Sequence, residues 1–227
     1  MPLVLSRGRV FAIVGRVPLR VRVPGRRLER TLFLIVGVCW VAAVSVGLSV
    51  LWAYENGPGD AANAPAQWPV ASRLPAPHQR PALVLLLHPQ CPCSHATVAE
   101  LARLMTHVQD RVEAHVLFLQ PRGMSESWAK SDLWQNAAAI PGVDVRLDEG
   151  GAEAQRFGGA TSGETLLYDT AGRLRFNGGI TGSRGHEGDN AGRSALESIL
   201  GGGTSGTPST FVFGCALFAH RDEAQVP

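Results

Sequence analysis

Cys91 and Cys93 stand one residue apart in Leu83-Val-Leu-Leu-Leu-His-Pro-Gln-Cys-Pro-Cys-Ser-His95, where an apolar run stops abruptly and two histidines flank the thiols. Residues of these types support two chemistries. A thiolate is a nucleophile toward disulfides and peroxides, and a thiol at a helix N-terminus is acidified by the unpaired N–H groups and the positive end of the helix dipole. Alternatively, His88, Cys91, Cys93 and His95 offer sulfur and imidazole within eight positions, with Cys215 or His186 to complete a set for Cu(I) or Zn(II), although the spacing matches no common zinc pattern. The remaining cysteines are Cys39 and Cys215. If Cys39 lies in a membrane, three cysteines share water, an odd number that suits a redox pair with a third partner better than a disulfide framework.

For the first chemistry the thiols need a strand behind them and a helix in front. The continuous run Ala82–Leu87 reads as a strand buried on both faces. Ser94–Gln109 reads as a helix, because Val98, Leu101, Met105 and Val108 recur on one face with Leu104 beside them. The cysteines then occupy a strand-to-helix turn, with Cys91 expected on its more exposed side.

Further along, Ala114–Leu119 is expected to form a strand, and Ser125 or Ser127 to cap a helix reaching about Ala139. Val143–Leu147 reads as a short strand and Ala152–Phe157 as a small helix. Glu164–Asp169 and Leu174–Asn177 read as a hairpin turned at Thr170-Ala-Gly-Arg173, and Asn190 as the cap of a last helix, Ala191–Leu200. Gly201–Pro208 has the composition of a linker before the apolar tail Phe211-Val-Phe-Gly-Cys-Ala-Leu-Phe218.

The N-terminal third has another character. Leu32–Trp52 is uncharged and apolar, and about twenty such residues at roughly 1.5 Å rise span the ~30 Å hydrocarbon core. One transmembrane helix is expected. Residues 1–52 carry eight arginines against the single acid Glu29, which favours a cytoplasmic N-terminus and places the chain after residue 53 outside the cytoplasmic membrane, in a periplasm or beyond. Ala62-Asn-Ala64 resembles a processing site, but it lies well beyond the end of an apolar stretch that is longer than a signal core, so an uncleaved anchor is expected.

These readings divide the chain into a basic cytoplasmic leader (1–31), a transmembrane helix (32–52), a Pro/Ala-rich linker acting as a partly stiff tether (53–80), an α/β domain (81–200), and a linker with a Cys-containing tail (201–227). Residues 81–227 hold eleven basic against sixteen acidic side chains, a net −5. No basic footprint for nucleic acid exists there. Nucleotide-binding spacing and a nucleophile elbow are also lacking.

The order strand, helix, strand, helix, strand, helix, hairpin, helix, with cysteines after the first long buried strand, resembles a thioredoxin-like domain: a central mixed sheet flanked by helices, here behind one N-terminal transmembrane helix. More narrowly, Cys91-Pro-Cys93-Ser-His95, Asn177-Gly-Gly-Ile-Thr-Gly-Ser-Arg-Gly-His-Glu-Gly-Asp-Asn-Ala-Gly-Arg193 and Val212-Phe-Gly-Cys215 are similar to membrane-anchored thioredoxin-like proteins of the bacterial envelope labelled RedB-type. The resemblance implies a thiol–disulfide oxidoreductase acting on protein or small-molecule thiols, disulfides or peroxides without a cofactor. Two alternatives stand beside it: a copper-binding chaperone or assembly factor, and a noncatalytic domain that binds partners.

Two departures from the family pattern matter. Only Pro92 separates the cysteines, where two residues are usual, and so small a ring makes a disulfide more oxidising. Ser162-Gly163-Glu164 stands where such proteins have a cis-proline. On the catalytic reading Cys91 attacks and Cys93 or Cys215 resolves. Ser94, Gly163, Glu164, Arg184, His186, Glu187 and Asn190 are candidates for the wall of the site.

Overall fold

A computed structural model describes residues 25–203 and 209–218. The leader up to residue 24, most of the Gly/Ser/Thr linker and the last nine residues of the tail lie outside the described residues. The chain divides into two units, residues 1–48 and 49–227. Helix α1 (Arg26–Asn56) contains the whole of Leu32–Trp52, buries no side chain, and is long and apolar enough to cross a membrane.

The second unit is built on a five-stranded sheet: β1 (Ala82–Leu87), β2 (Glu113–Gln120), β3 (Val143–Glu149), β4 (Glu164–Tyr168) and β5 (Leu174–Gly178), in the order β3-β2-β1-β4-β5. β1, β2 and β3 run parallel, and β4 and β5 are antiparallel to their neighbours. β1 is central, which explains its unbroken apolar run. Leu83, Leu85 and Leu87 point into one core and Val84 and Leu86 into the other, as the period of two demands.

The first core is covered by α2 (Ser94–Val108), α4 (Asp132–Ala138) and α6 (Ala191–Leu200). α2 supplies Val98, Leu101, Leu104, Met105 and Val108, the face expected from its periodicity. The helix expected up to Ala139 breaks in two, α3 (Glu126–Ala129) and α4. Ser125 sits at the N-cap of α3 with its hydroxyl on Ser127 and not on the helix backbone. Asn190 caps α6 as expected, accepting from Arg193 N at 2.8 Å.

The second core holds Leu74, Val84, Leu86, Leu117, Phe157, Leu166, Tyr168 and Leu217 under α5 (Ala152–Arg156). Here the expectation of a tether fails. The segment before β1 is packed on the domain: Leu74 is buried, and Trp68 meets Phe157 and Tyr168 edge-on at 5.0 and 5.2 Å. Its backbone is held as well, with Asn63 N on Gly158 O at 2.9 Å and the Tyr168 hydroxyl on Pro65 O at 3.0 Å. Two apolar side chains and these backbone bonds together anchor it, with Ser72 Oγ and Arg73 N donating to Glu153 at 2.7 and 3.1 Å.

One buried charge secures the long loop after β5. Glu100, on the inward face of α2 with no exposed surface, accepts from Gly188 N at 2.8 Å and Asn190 Nδ2 at 3.2 Å. It also pairs with Arg193 at 3.2 Å and with Arg103. A carboxylate this deep is tolerated because its oxygens are filled by donors, and the network ties residues 188–193 to the helix that starts at the cysteine turn.

Candidate active site

β1 ends at Leu87, the turn comes next, and Cys93 takes the N-cap position of α2. The chain tightens through Cys91 N on His88 O and Ser94 N on Cys91 O, both at 3.1 Å. Behind this turn, the Ser162 hydroxyl accepts from His88 N at 2.7 Å and shares a hydrogen bond with Ser94 Oγ at 2.8 Å. Ser162 thus fixes both ends of the turn.

The tail supplies the third cysteine. Residues 214–217 run antiparallel to residues 160–162, with Ser162 N on Cys215 O and Leu217 N on Ala160 O, both at 2.8 Å, and a bridge between Thr161 and Ala216. Cys215 Sγ then lies 2.9 Å from Cys91 Sγ, and Cys215 N donates to Cys91 Sγ at 3.4 Å. Cys91 is therefore not on the exposed side of its turn: it is 2% exposed against 9% for Cys93, because the arm lies on it.

The electrostatics separate the three thiols. Burial pushes Cys91 up, but hydrogen bonds from the Cys215 thiol and N–H, the Ser94 hydroxyl and the Cys93 backbone outweigh it and leave Cys91 below an ordinary thiol. Burial and the neighbouring Cys91 raise Cys93, against the opposing charge of Arg184. Cys215 is pushed up to about 12 by burial, by the hydrogen bond it gives to Cys91 and by the charge there. The pattern is one thiol made more acidic than its two neighbours, which are both made less so.

Arg184 completes this group: its guanidinium donates to Gly214 O, its backbone N donates to Glu55 O at 3.0 Å, and it stacks 5.2 Å from the Tyr54 ring centroid. The other wall candidates divide. Ser94 is at the thiols, while Gly163 (φ +98°) holds the left-handed backbone beside Thr97 and donates to Leu86 O at 2.8 Å. No peptide bond among the described residues is cis. Glu164 is buried in a neighbouring cavity wall. Glu187 and Asn190 belong with Arg103 and Glu100, and His186 is exposed, so these three stabilise or border the loop and do not touch the cysteines.

The metal-ligand reading finds no assembled set. Among the described residues no three His, Cys, Asp or Glu side chains converge on one point. His95 is exposed, and the half-buried His88 ring packs edge-on against Trp128 at 5.5 Å while its Nδ1 accepts from Gln90 N at 3.2 Å. Ser162 and Gly214 are the residues whose roles sequence reasoning missed. The only sequence signal for the latter is its place beside Cys215.

Gly214 explains how the arm comes so close. A Cβ there would lie 1.9 Å from Ser162 O, so alanine cannot dock in this register. Overpacking of this kind costs about 1–3 kcal/mol, a roughly fivefold to hundredfold change in an equilibrium. Gly214→Ala is accordingly expected to reduce the equilibrium constant for Cys91–Cys215 disulfide formation by at least about fivefold, read from the fraction linked across a series of glutathione ratios. An unchanged fraction would mean that the arm does not dock through this pairing.

No family model and no curated protein matches the chain. Solved structures do. A hypothetical protein from Sinorhizobium meliloti is 19% identical with a TM-score of 0.50, covering 72% of this chain and 96% of its own. An uncharacterized conserved protein from Geobacillus kaustophilus is 17% identical with a TM-score of 0.51, covering 73% and 94%. The pneumococcal exposed lipoprotein thioredoxin from Streptococcus pneumoniae is 14% identical with a TM-score of 0.42, covering 56% and 87%. With three parallel strands continued by an antiparallel hairpin, helices on both faces and cysteines at the end of the central strand, the second unit has a thioredoxin-like fold.

Proposed function

We propose that the chain is a membrane-tethered, extracytoplasmic thiol–disulfide oxidoreductase, related to the RedB-type group, in which Cys91 attacks and Cys215 resolves. The observation that carries this reading is the 2.9 Å approach of the two sulfurs from opposite ends of the domain. The Cys91 thiolate attacks one sulfur of a substrate disulfide, forming a mixed disulfide and releasing the first substrate thiolate. Cys215 then loses its proton and attacks Cys91 Sγ, which expels the second substrate thiolate. Two electrons pass to the substrate, and the protein is left with a Cys91–Cys215 disulfide. In reverse the same pair oxidises a dithiol. Cys93, whose thiol is held protonated, neighbours the exchange without an assigned step. The Arg-rich leader and α1 support an anchor with the second unit outside the cytoplasmic membrane.

The test is disulfide mapping of the full chain in detergent, equilibrated with glutathione buffers and quenched with acid and maleimide. The expected product is a Cys91–Cys215 link. Oxidised protein linked only between Cys91 and Cys93, or with Cys215 free throughout, would overturn the assignment.

A further inference from the structure

Beside the thiols, one cavity has walls that the redox chemistry does not use. It encloses about 640 Å³ and is lined by Gly59 and Ala62 of the segment before β1, Thr181 and Gly182 after β5, the first turn of α6, and Ser209–Phe213 of the arm. Most of this lining is apolar. The hydroxyls of Thr181, Ser209 and Thr210 interrupt it, and so do two larger polar side chains, Glu164 at the start of β4 and Asn177 on β5. These two share a sheet face, since Asn177 pairs with Leu166, two residues from Glu164.

Both present a buried acceptor without a protein partner, Glu164 Oε2 and Asn177 Oδ1. Glu164 is only 1% exposed. Buried acceptors are ordinarily matched by donors, and Glu100 shows how this chain fills a buried carboxylate when its role is structural. At Glu164 the donors are lacking while a cavity adjoins the side chain. Among the described residues no other titratable side chain lines that cavity, and burial alone pushes the Glu164 carboxyl up to about 8.

We propose that this cavity binds a small organic ammonium compound, its charged head on Glu164 and Asn177 and its apolar body along Ala62 and Val212. A cation supplies the N–H donors that both oxygens lack and stabilises the ionised carboxylate, while the remaining lining suits hydrocarbon. The inference builds on the proposed redox function, because the arm that forms one wall carries Cys215 three residues beyond Val212. A ligand in the cavity holds that arm down over Cys91. Binding itself requires no disulfide chemistry, so its failure is distinguishable from failure of the redox reading.

The probe is n-butylammonium, titrated calorimetrically into the reduced full chain in nonionic detergent, with 1-butanol as the neutral counterpart. An alkylammonium stays charged over this range, as lysine does with a pKa of about 10.4. Saturable 1:1 binding is expected, strengthening by roughly tenfold per pH unit below pH 8 as the carboxylate ionises, and levelling above it. Glu164→Gln is expected to weaken it at least about tenfold at pH 8.5, as loss of a charged partner does. Ala62→Phe, which narrows the cavity along the proposed apolar contact and leaves Glu164 in place, should weaken it at least about tenfold, and this variant decides the matter if Glu164→Gln does not fold. Butanol should bind at least about tenfold more weakly than the cation. No saturable binding, affinity unaffected by either variant, equal affinity for butanol, or affinity that does not rise with pH would each overturn the proposal.

Discussion

Cys91→Ser is expected to lower the rate at which the reduced protein attacks glutathione disulfide by about a thousandfold or more, because a serine hydroxyl has no thiolate to offer near neutral pH. The other two cysteines should behave differently. Cys215→Ser keeps the nucleophile and loses the resolving thiol, so it should halt as a Cys91–glutathione mixed disulfide that accumulates to near one equivalent. It also removes the thiol that lies 2.9 Å from Cys91 Sγ and lowers its pKa, so the Cys91 thiolate should form at higher pH than in the wild type. Cys93→Ser should complete the cycle. Intact-mass analysis of quenched time points reads all three. Persistence of full exchange in Cys91→Ser, or halted adducts in Cys93→Ser instead of Cys215→Ser, would assign the roles to other sulfurs.

The second large effect concerns stability. Glu164 titrates near 8 in the folded protein against a reference of 4.5, so between these values the folded state holds a proton that the unfolded state has released. Stability must then fall as pH rises through this window, by about 1.4 kcal/mol per unit, or on the order of 4–5 kcal/mol by pH 8. The contribution of Asp148, raised by burial, has the same sign at the acid end. Cys91 has the opposite sign through its lowered pKa, and so do His88 and His115, which burial lowers and which therefore add stability as pH rises toward 6.5; the experiment is best done in the Cys91→Ser background and read mainly between about pH 6.5 and 8.5. Urea unfolding of the second unit, followed by the signal of Trp68 against Phe157 and Tyr168, should show a midpoint that drops across this range. Glu164→Gln should remove most of that drop. A flat profile in the parent, or an equal drop in the glutamine variant, would show that Glu164 is ionised at little cost.

How legible each element was in the sequence depends on how local its signal is. β1 and α6 appear with the bounds expected of them, and α2 ends one residue early, because an unbroken Val/Leu run, a 3.6-residue periodicity and an Asn cap are all written within a few positions. The anchoring of residues 57–81 was hidden, because Pro/Ala composition describes a chain without a core, and the side chains that fasten it, Trp68 and Leu74, find their pockets in elements up to a hundred positions later. The meeting of Cys91 with Cys215 was one of two open pairings for the same reason: 124 residues separate them, and no periodicity reports a contact of that range. Gly214 carries no sign that its missing Cβ is what admits the arm. Glu100 did carry one, as an acid within an otherwise apolar helical face, and it proved to hold the very loop whose Gly, His and Asp content had suggested a site.

The arm also governs how this domain meets copies of itself. On the approach to the cysteine, Ser209 bridges Asn177 in parallel and Thr210 N donates to Asn177 O at 3.3 Å, so the outer side of β5 is already occupied. At the opposite border β3 carries Asp144, Arg146 and Glu149 on partly or fully exposed positions, charges that discourage a foreign strand from pairing there. The two sheet borders are thus guarded by different means, one by side-chain charge and the other by a removable piece of backbone. An arm lifted from Cys91 would bare the β5 backbone at Asn177 that Ser209 and Thr210 now cover, and with it a place for edge-to-edge pairing. On the proposed redox reading, substrate access to Cys91 and protection of this border pull the arm in opposite directions.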